Sequence, residues 1–322
     1  MEKILPKGGF FMCTAVTYKN RYFGRNLDYE CSFGESVVLM PRLFPFFLPG
    51  GERMEKQYAI IGMAHVSEGC PLYYDGMNEK GLAMAGLLFS GNAVYQKPAV
   101  FRENIPSWAL IPWVLGQCET VAEAKKLLVR TNLTDTPFSD ALSPTPLHWM
   151  IADKNEAITV ECTAGGMKVY DNPVGVLTNN PPFPFHLQNL TQYLNLTAEV
   201  PENRFSHTME LEPFSRGMGA IGLPGDLSSA SRFVRAAFVK LHSVSEEKGD
   251  VSQFFHILGA VEQQRGCVHL GNGKYEVTIY SSCCDLEKGI YYLKTYDDHR
   301  ITGVDMHQKN LAGSGLQRLQ NI

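Results

Sequence analysis

The order of apolar segments predicts an α+β protein, with antiparallel sheets and helices on their outer faces. Strand-like and helix-like segments each come in runs: strands, helices, strands, helices, strands. A parallel α/β fold would alternate them strictly. The strand-like segments are short and broken by tight turns. Apolar residues make up 44% of the 322 residues and charged residues 19%, the balance of an ordinary globular chain. No linker, repeat or low-complexity stretch interrupts it, so one domain is expected over residues 13–322.

Along the chain, Cys13 to Tyr18 alternates and ends at Lys19-Asn20, and Tyr22 to Leu27 follows at hairpin spacing. Val37 to Met40, Tyr58 to His65 and Leu82 to Phe89 are further strand candidates. Asp75-Gly76 and Asn78 to Gly81 read as turns. Pro106 to Leu115 reads as an apolar helix. Thr120 with Glu123 three residues on is a capping box that opens a second helix through Val129. Leu147 to Ala152, Ala157 to Cys162, Met167 to Tyr170 and Val174 to Thr178 return to strand. Phe185 to Leu194 is a helix candidate, and Phe205 to Gly225 a glycine-rich loop. Ser231 to Ser243 and Ser252 to Gln264 carry apolar residues at helical spacing. Val277 to Ser282 and Ile290 to Tyr296 close as strands.

Charge and composition exclude several classes of function. With 29 Lys+Arg against 33 Asp+Glu, the net charge of −4 lacks the basic excess of a nucleic-acid binder. No apolar run approaches the roughly 20 residues that span a bilayer. The apolar part of the N-terminus, Ile4 to Pro6, is shorter than the ~7–15 residues of a signal-peptide core. A cytoplasmic protein is therefore expected, with no membrane insertion. In that setting eight cysteines are not a disulfide framework, and without a C-x-x-C pair they form no zinc ribbon. No metal and no cofactor are expected. Sequons at Asn132, Asn189 and Asn195 are read as chance.

The chemistry concentrates near Cys13. A cysteine directly after a methionine becomes residue one if that methionine is removed. Its thiol and α-amine then belong to one residue, and an α-amine with a pKa of about 7.7–8.0 is a built-in base near neutral pH. The paired strand brings Arg25 and Asp28 back towards Cys13. A guanidinium near sulfur favours thiolate, and a carboxylate near the amine would orient it. The plain alternative is a small buried hydrophobe at a strand start. His148 raises the possibility of a cysteine–histidine pair, but between Leu147 and Trp149 it reads better as a structural histidine. Cys283-Cys284 is read as inert.

Eight segments together resemble the choloylglycine hydrolases, the family of bile salt hydrolases and penicillin V acylases. They are Cys13-Thr14, Phe23-Gly-Arg-Asn-Leu-Asp28, Asp75-Gly-Met-Asn-Glu-Lys-Gly-Leu82, Ala85-Gly-Leu87, Leu147-His-Trp-Met150, Val176-Leu-Thr-Asn179, Leu223-Pro-Gly-Asp226 and Ser231-Arg-Phe-Val-Arg235. They run in family order over nearly the whole chain. The resemblance is greatest to bile salt hydrolases of Gram-positive gut bacteria. It implies an N-terminal-nucleophile hydrolase, an αββα sandwich of two stacked antiparallel sheets between helical layers. It also implies cleavage of the amide of glycine- or taurine-conjugated bile acids through a thioester on Cys13. By the same resemblance Arg25 and Asp28 partner the nucleophile, Asn179 gives a side-chain oxyanion donor, and Arg232 is the arginine near the sulfur. The backbone N–H at Leu88 is the second oxyanion donor. A homotetramer is implied, with Leu194 to Phe214 as the counterpart of the assembly hairpin.

The pattern departs in three places. Leu88 stands where the bile salt branch has Asn, which leaves backbone chemistry intact but bears on substrate preference. Residues 1–12 precede the nucleophile, so either Met12 is the true start or the segment is an upstream extension or leader absent from the active enzyme. Arg216, in the loop before Leu223, either faces the anionic end of the conjugated amino acid or is a surface arginine. Phe33, Met40, Leu72, Phe89 and Phe138 are candidates for a wide apolar acyl pocket. Two other functions remain open at this level: a penicillin V or other N-acyl amide hydrolase on the same site, and a non-catalytic binding relative with a blocked Cys13.

Overall fold

Lys19 and Asn20, with φ of 54° and 52°, form the turn that folds β1 (Cys13–Tyr18) onto β2 (Tyr22–Tyr29). Arg21 N–H closes it on Tyr18 O at 3.2 Å. The register pairs Cys13 with Leu27 and Ala15 with Arg25. Opposed residues share a face and successive residues alternate. Cys13, Ala15, Arg25 and Leu27 therefore lie on one face, and Thr14, Asn26 and Asp28 on the other.

The computed structural model describes residues 12–321 except 52, 55, 56, 247–249 and 272. Residues 1–11, expected to be an upstream extension, lie outside the described residues. After the hairpin come β3 (Ser36–Met40), β4 (Ile60–Ser67), β5 (Cys70–Asn78) and β6 (Ala83–Leu88). A parallel ribbon of β7 (Glu103–Pro106) and β8 (Thr131–Thr134) brackets α1 (Leu110–Gln117) and α2 (Val121–Arg130). Next are β9 (Leu147–Ala152), β10 (Ala157–Thr163), β11 (Gly166–Asp171) and the short β12 (Val176–Leu177). α3 (Phe183–Asn189), α4 (Ser229–His242) and α5 (Asp250–Gly259) follow. The chain ends with a small ribbon of β13 (His269–Gly271) and β14 (Lys274–Tyr275), then β15 (Val277–Asp285), β16 (Ile290–Thr295), β17 (Thr302–Asp305) and β18 (Gln317–Asn321).

Two antiparallel sheets dominate. One has six strands in the order β12-β1-β2-β15-β16-β17, and the other eight in the order β11-β10-β9-β6-β5-β4-β3-β18. They stack with β1 and β2 against β5 and β6, while α4 and α5 cover the six-stranded sheet and α1 the eight-stranded one. Strand periodicity explains this layering. Val37, Leu39, Ile61 and Met63 join the core between the sheets, while Val38, Met40 and Ile60 join a second core with Leu110, Leu115 and Leu127 of α1 and α2. Half of the expected capping box at α2 forms: Thr120 Oγ1 accepts from Glu123 N–H at 3.2 Å, while the Glu123 carboxylate accepts from Glu119 N–H at 2.8 Å instead of from Thr120 N–H.

The expected turn at Asp75–Gly76 is not there, because both residues lie inside β5. Gly76 is small because of a close approach: a Cβ there would sit 2.6 Å from Ile61 O on β4. Asp75 is tolerated mid-strand because Tyr280, Tyr291 and Ser282 donate their hydroxyls to it. Pro106, expected to open a helix, closes β7 instead. β17 and β18 arise where no element was expected. β18 is polar and forms only as an edge strand on β3.

Gly24 shows how tightly β2 meets β15. A Cβ on Gly24 would lie 2.0 Å from Ser282 O. Gly24→Ala is expected to destabilise the fold by at least about 2 kcal/mol through forced strand separation. Urea unfolding of the two proteins measures it.

Candidate active site

The site forms where β5 and β6 part. Their pairing reaches Asp75 opposite Ala85, while β6 runs on to Leu88 with β9 as its partner. Backbone groups of β6 that would have met β5 now face an opening, and side chains from the six-stranded sheet fill it. Arg25 Nη1 donates to Gly86 O at 2.5 Å and to Tyr74 O at 3.3 Å. Asn179 Nδ2 donates to Leu88 O at 2.7 Å. In an antiparallel ladder the N–H and C=O of one residue point the same way, so Leu88 N–H opens into the same space.

Cys13 lies at the centre, buried at the start of β1. Arg25 Nη2 donates to its sulfur from the inner face of the hairpin. Cys13 N–H donates to Asn179 Oδ1 at 2.7 Å. Arg232, on α4, works on the backbone of Cys13 rather than on its sulfur. Its Nη1 donates to Cys13 O and Thr14 Oγ1, both at 2.6 Å, and its Nη2 to Asn179 Oδ1 at 2.8 Å. A guanidinium only donates, so this contact orients the Asn179 amide, leaving Oδ1 towards Cys13 and Nδ2 towards β6. Asn179 N–H is held in turn by Ser229 Oγ at 2.9 Å.

Asp28 lies on the opposite face of the hairpin from Arg25. Its Oδ1 accepts from Thr278 at 2.6 Å, and its Oδ2 is buried with no partner among the described residues. Burial pushes its pKa up to about 6, against the pull of Arg232, the Thr278 hydroxyl and Arg25. Burial also pushes the Cys13 thiol up, Arg25 pulls it down, and the Asp28 carboxylate pushes it up again. The thiolate is thus disfavoured without a base, and the nitrogen of the same residue is held by Asn179 Oδ1.

Two further acids, neither given a role in the site by the sequence although Asp75 opens one of the family segments, complete the surroundings. Asp75 anchors three hydroxyls and faces Arg25. Glu276 accepts from Met12 N–H. Nothing local marks either: Asp75 reads as a turn residue and Glu276 as the polar lead of a strand.

The other named residues scatter. Phe33, half-buried after β2, packs edge-on against Tyr29 with centroids 4.8 Å apart. Leu72 is half-buried on β5. Met40 faces the α1 and α2 core. Phe89 is fully buried, its ring stacked on His148 at 4.3 Å, and Phe138 meets Trp108 edge-on at 5.1 Å. Arg216 is exposed in the long loop before α4. His148 bonds Glu161 and Thr178 O. Among the described residues no group of His, Cys, Asp or Glu could hold a metal ion, and no helix is long and apolar enough to cross a membrane.

Residues 13–319 match the family model for linear amide C–N hydrolases of the choloylglycine hydrolase family. The chain belongs to the choloylglycine hydrolase family. It is a linear amide hydrolase with an N-terminal-nucleophile hydrolase fold, similar to several relatives in that family. The bile salt hydrolase/transferase of Lactiplantibacillus plantarum is 54% identical over 309 residues, 95% of each chain. That of Clostridium perfringens is 39% identical over 316 residues, 95% of this chain and 96% of the relative. The solved structure of a mutant conjugated bile acid hydrolase from Clostridium perfringens superposes with a TM-score of 0.89 at 38% identity, covering 97% of each chain. Penicillin V acylase from Agrobacterium tumefaciens shares the fold, with a TM-score of 0.71 at 19% identity over 95% of this chain and 90% of that one.

Glu276 offers a direct reading of the site's electrostatics. Burial, and then Asp28, push its pKa up to about 8, against the Met12 N–H and Arg232. In the unfolded chain a glutamate ionises near ~4.3, so between that pH and about 8 the folded chain holds the extra proton and loses stability as pH rises. Glu276→Gln is expected to lose less Tm than the parent chain between pH 5 and pH 8. Parallel Tm curves would show that Glu276 does not titrate in this window.

Proposed function

We propose that this family member hydrolyses the amide of glycine- or taurine-conjugated bile acids, with Cys13 as nucleophile. The observation that carries the proposal is the placing of one residue. Cys13 has its sulfur on Arg25, its nitrogen on Asn179 Oδ1 and an unpartnered carboxylate oxygen of Asp28 in the same buried cluster. The substrate class follows from the 54% identical relative named bile salt hydrolase/transferase.

In this reading residues 1–12 are absent from the active enzyme. Hydrolysis of the Met12–Cys13 peptide bond frees the Cys13 α-amine, which Asp28 and Asn179 Oδ1 hold. The amine takes the thiol proton, supplying the base that burial of the thiol makes necessary. The thiolate attacks the amide carbon. Negative charge on the former carbonyl oxygen is met by the Leu88 N–H and by the second N–H of Asn179 Nδ2, whose first is engaged by Leu88 O. The α-ammonium returns its proton to the departing nitrogen, so glycine or taurine leaves and a thioester remains. Water, deprotonated by the same amine, attacks the thioester, releases the bile acid and restores the thiol.

Phe33 and Leu72, half-buried near β2 and β5, are the candidates for the acyl side, with Leu88 adding apolar surface where a polar side chain is absent. Exposed Arg216 is the candidate for the sulfonate or carboxylate end. Leu194, Phe205 and Phe214 are large and exposed in one loop, which supports assembly of a homotetramer through the 194–214 stretch.

Parallel assays on glycocholate, taurocholate and penicillin V test the substrate class. Both bile conjugates are expected to be cleaved faster than penicillin V, and the reverse order overturns the assignment. Intact mass of the active protein is expected to begin at Cys13, and full activity with Met12 attached would rule out the amine as base. Cys13→Ser is expected to abolish turnover. Asn179→Ala is expected to lower kcat by about 10²–10³.

A further inference from the structure

Asn179 is gripped through its backbone by two buried histidines. His148 Nε2 meets Thr178 O at 2.8 Å, and His186 Nε2 meets Asn179 O at 3.0 Å. Carbonyls only accept, so each ring must carry a proton on Nε2. Consecutive carbonyls are thus each fixed by a ring donor, one on either side of the Asn179 Cα.

Each ring also stacks on a second wall of the site. His148 stacks on Phe89, next to Leu88, with centroids 4.3 Å apart and planes 5° apart. His186 stacks on Phe233, next to Arg232, at 4.8 Å and 19°. Glu161 links the two. Its Oε1 pairs with His148 Nδ1 at 3.1 Å and accepts from Phe183 N–H at 2.9 Å, at the start of the helix that carries His186. Burial holds the His186 pKa down to about 4, so the ring is neutral and its one N–H goes to Asn179.

We propose that His148 and His186 are positioning residues that set the Asn179 amide in register with Leu88 on one side and Arg232 on the other. The proposal rests on the oxyanion role assigned to Asn179 above. Neither histidine touches Cys13 sulfur, so they act through Asn179 and change kcat rather than substrate binding. A misplacement of an ångström is sufficient to cost a large factor in rate.

The test is steady-state kinetics on glycocholate for His148→Leu, His186→Leu and the matching Gln variants. The amide of Gln can replace an Nε2–H donor. The Leu variants are expected to lose about tenfold in kcat with KM within twofold, and the Gln variants to recover most of it. In an Asn179→Ala background the Leu substitutions are expected to cost nothing further, because the group they position is gone. Should His186→Leu not fold, His186→Asn, polar but too short to reach the carbonyl, takes its place. Unchanged kcat in the Leu variants, or losses that multiply with Asn179→Ala, overturn the positioning role alone. Parent-level kcat in Asn179→Ala itself overturns the oxyanion reading.

Discussion

A turn at Lys19–Asn20 holds Cys13 opposite Leu27, and alternation along the strand does the rest. It sends Arg25 to the inner face of the hairpin, where its guanidinium bridges the sulfur and the carbonyls of the facing sheet. It sends Asp28 to the outer face, beside Thr278 and the helical layer. One residue of slip would exchange these faces and leave the sulfur without its cation. Gly24 protects the register, because β15 approaches too closely there for any side chain.

The cluster so formed is expensive in isolation. Arg25, Arg232, Asp28 and Asp75 are all fully buried, and charges out of water need compensation. Most of it is visible: hydroxyls from Tyr280, Tyr291, Ser282 and Thr278, and backbone carbonyls for both guanidiniums. Within the cluster Asp28 Oδ2 has no partner among the described residues, and neither has Oε2 of Glu276, whose Oε1 takes the Met12 N–H. Unsatisfied buried acceptors are rare in folded chains and draw donors. A cationic amine at Cys13 would supply one.

Local patterns carried far into the fold. The β1–β2 hairpin, the α2 cap at Thr120 and the amphipathic α4 follow from turn chemistry and periodicity that neighbouring residues express. Asp75 and Gly76 read as a turn because their partners, Tyr280, Tyr291 and Ile61, are remote in sequence. Polar β18 gave no strand pattern, since its pairing with β3 supplies what its composition lacks. For the site, Cys13, Arg25 and Asp28 were legible through one hairpin, and Asn179, Leu88 and Arg232 through family resemblance. Met40 is a strand residue whose face no local pattern assigns to one core or the other, and it went to the helical side.

Sequence alone determined the strand-and-helix inventory, the first hairpin and its nucleophile candidate, and membership of the family, because each depends on nearby residues or on recurring motifs. Tertiary structure alone decided which acids surround Cys13, which way the Asn179 amide points, and that His148 and His186 bond the carbonyls on either side of the Asn179 Cα. Those facts depend on contacts between strands and helices tens to hundreds of residues apart, and hydrogen bonds at that separation leave no periodic trace in the chain.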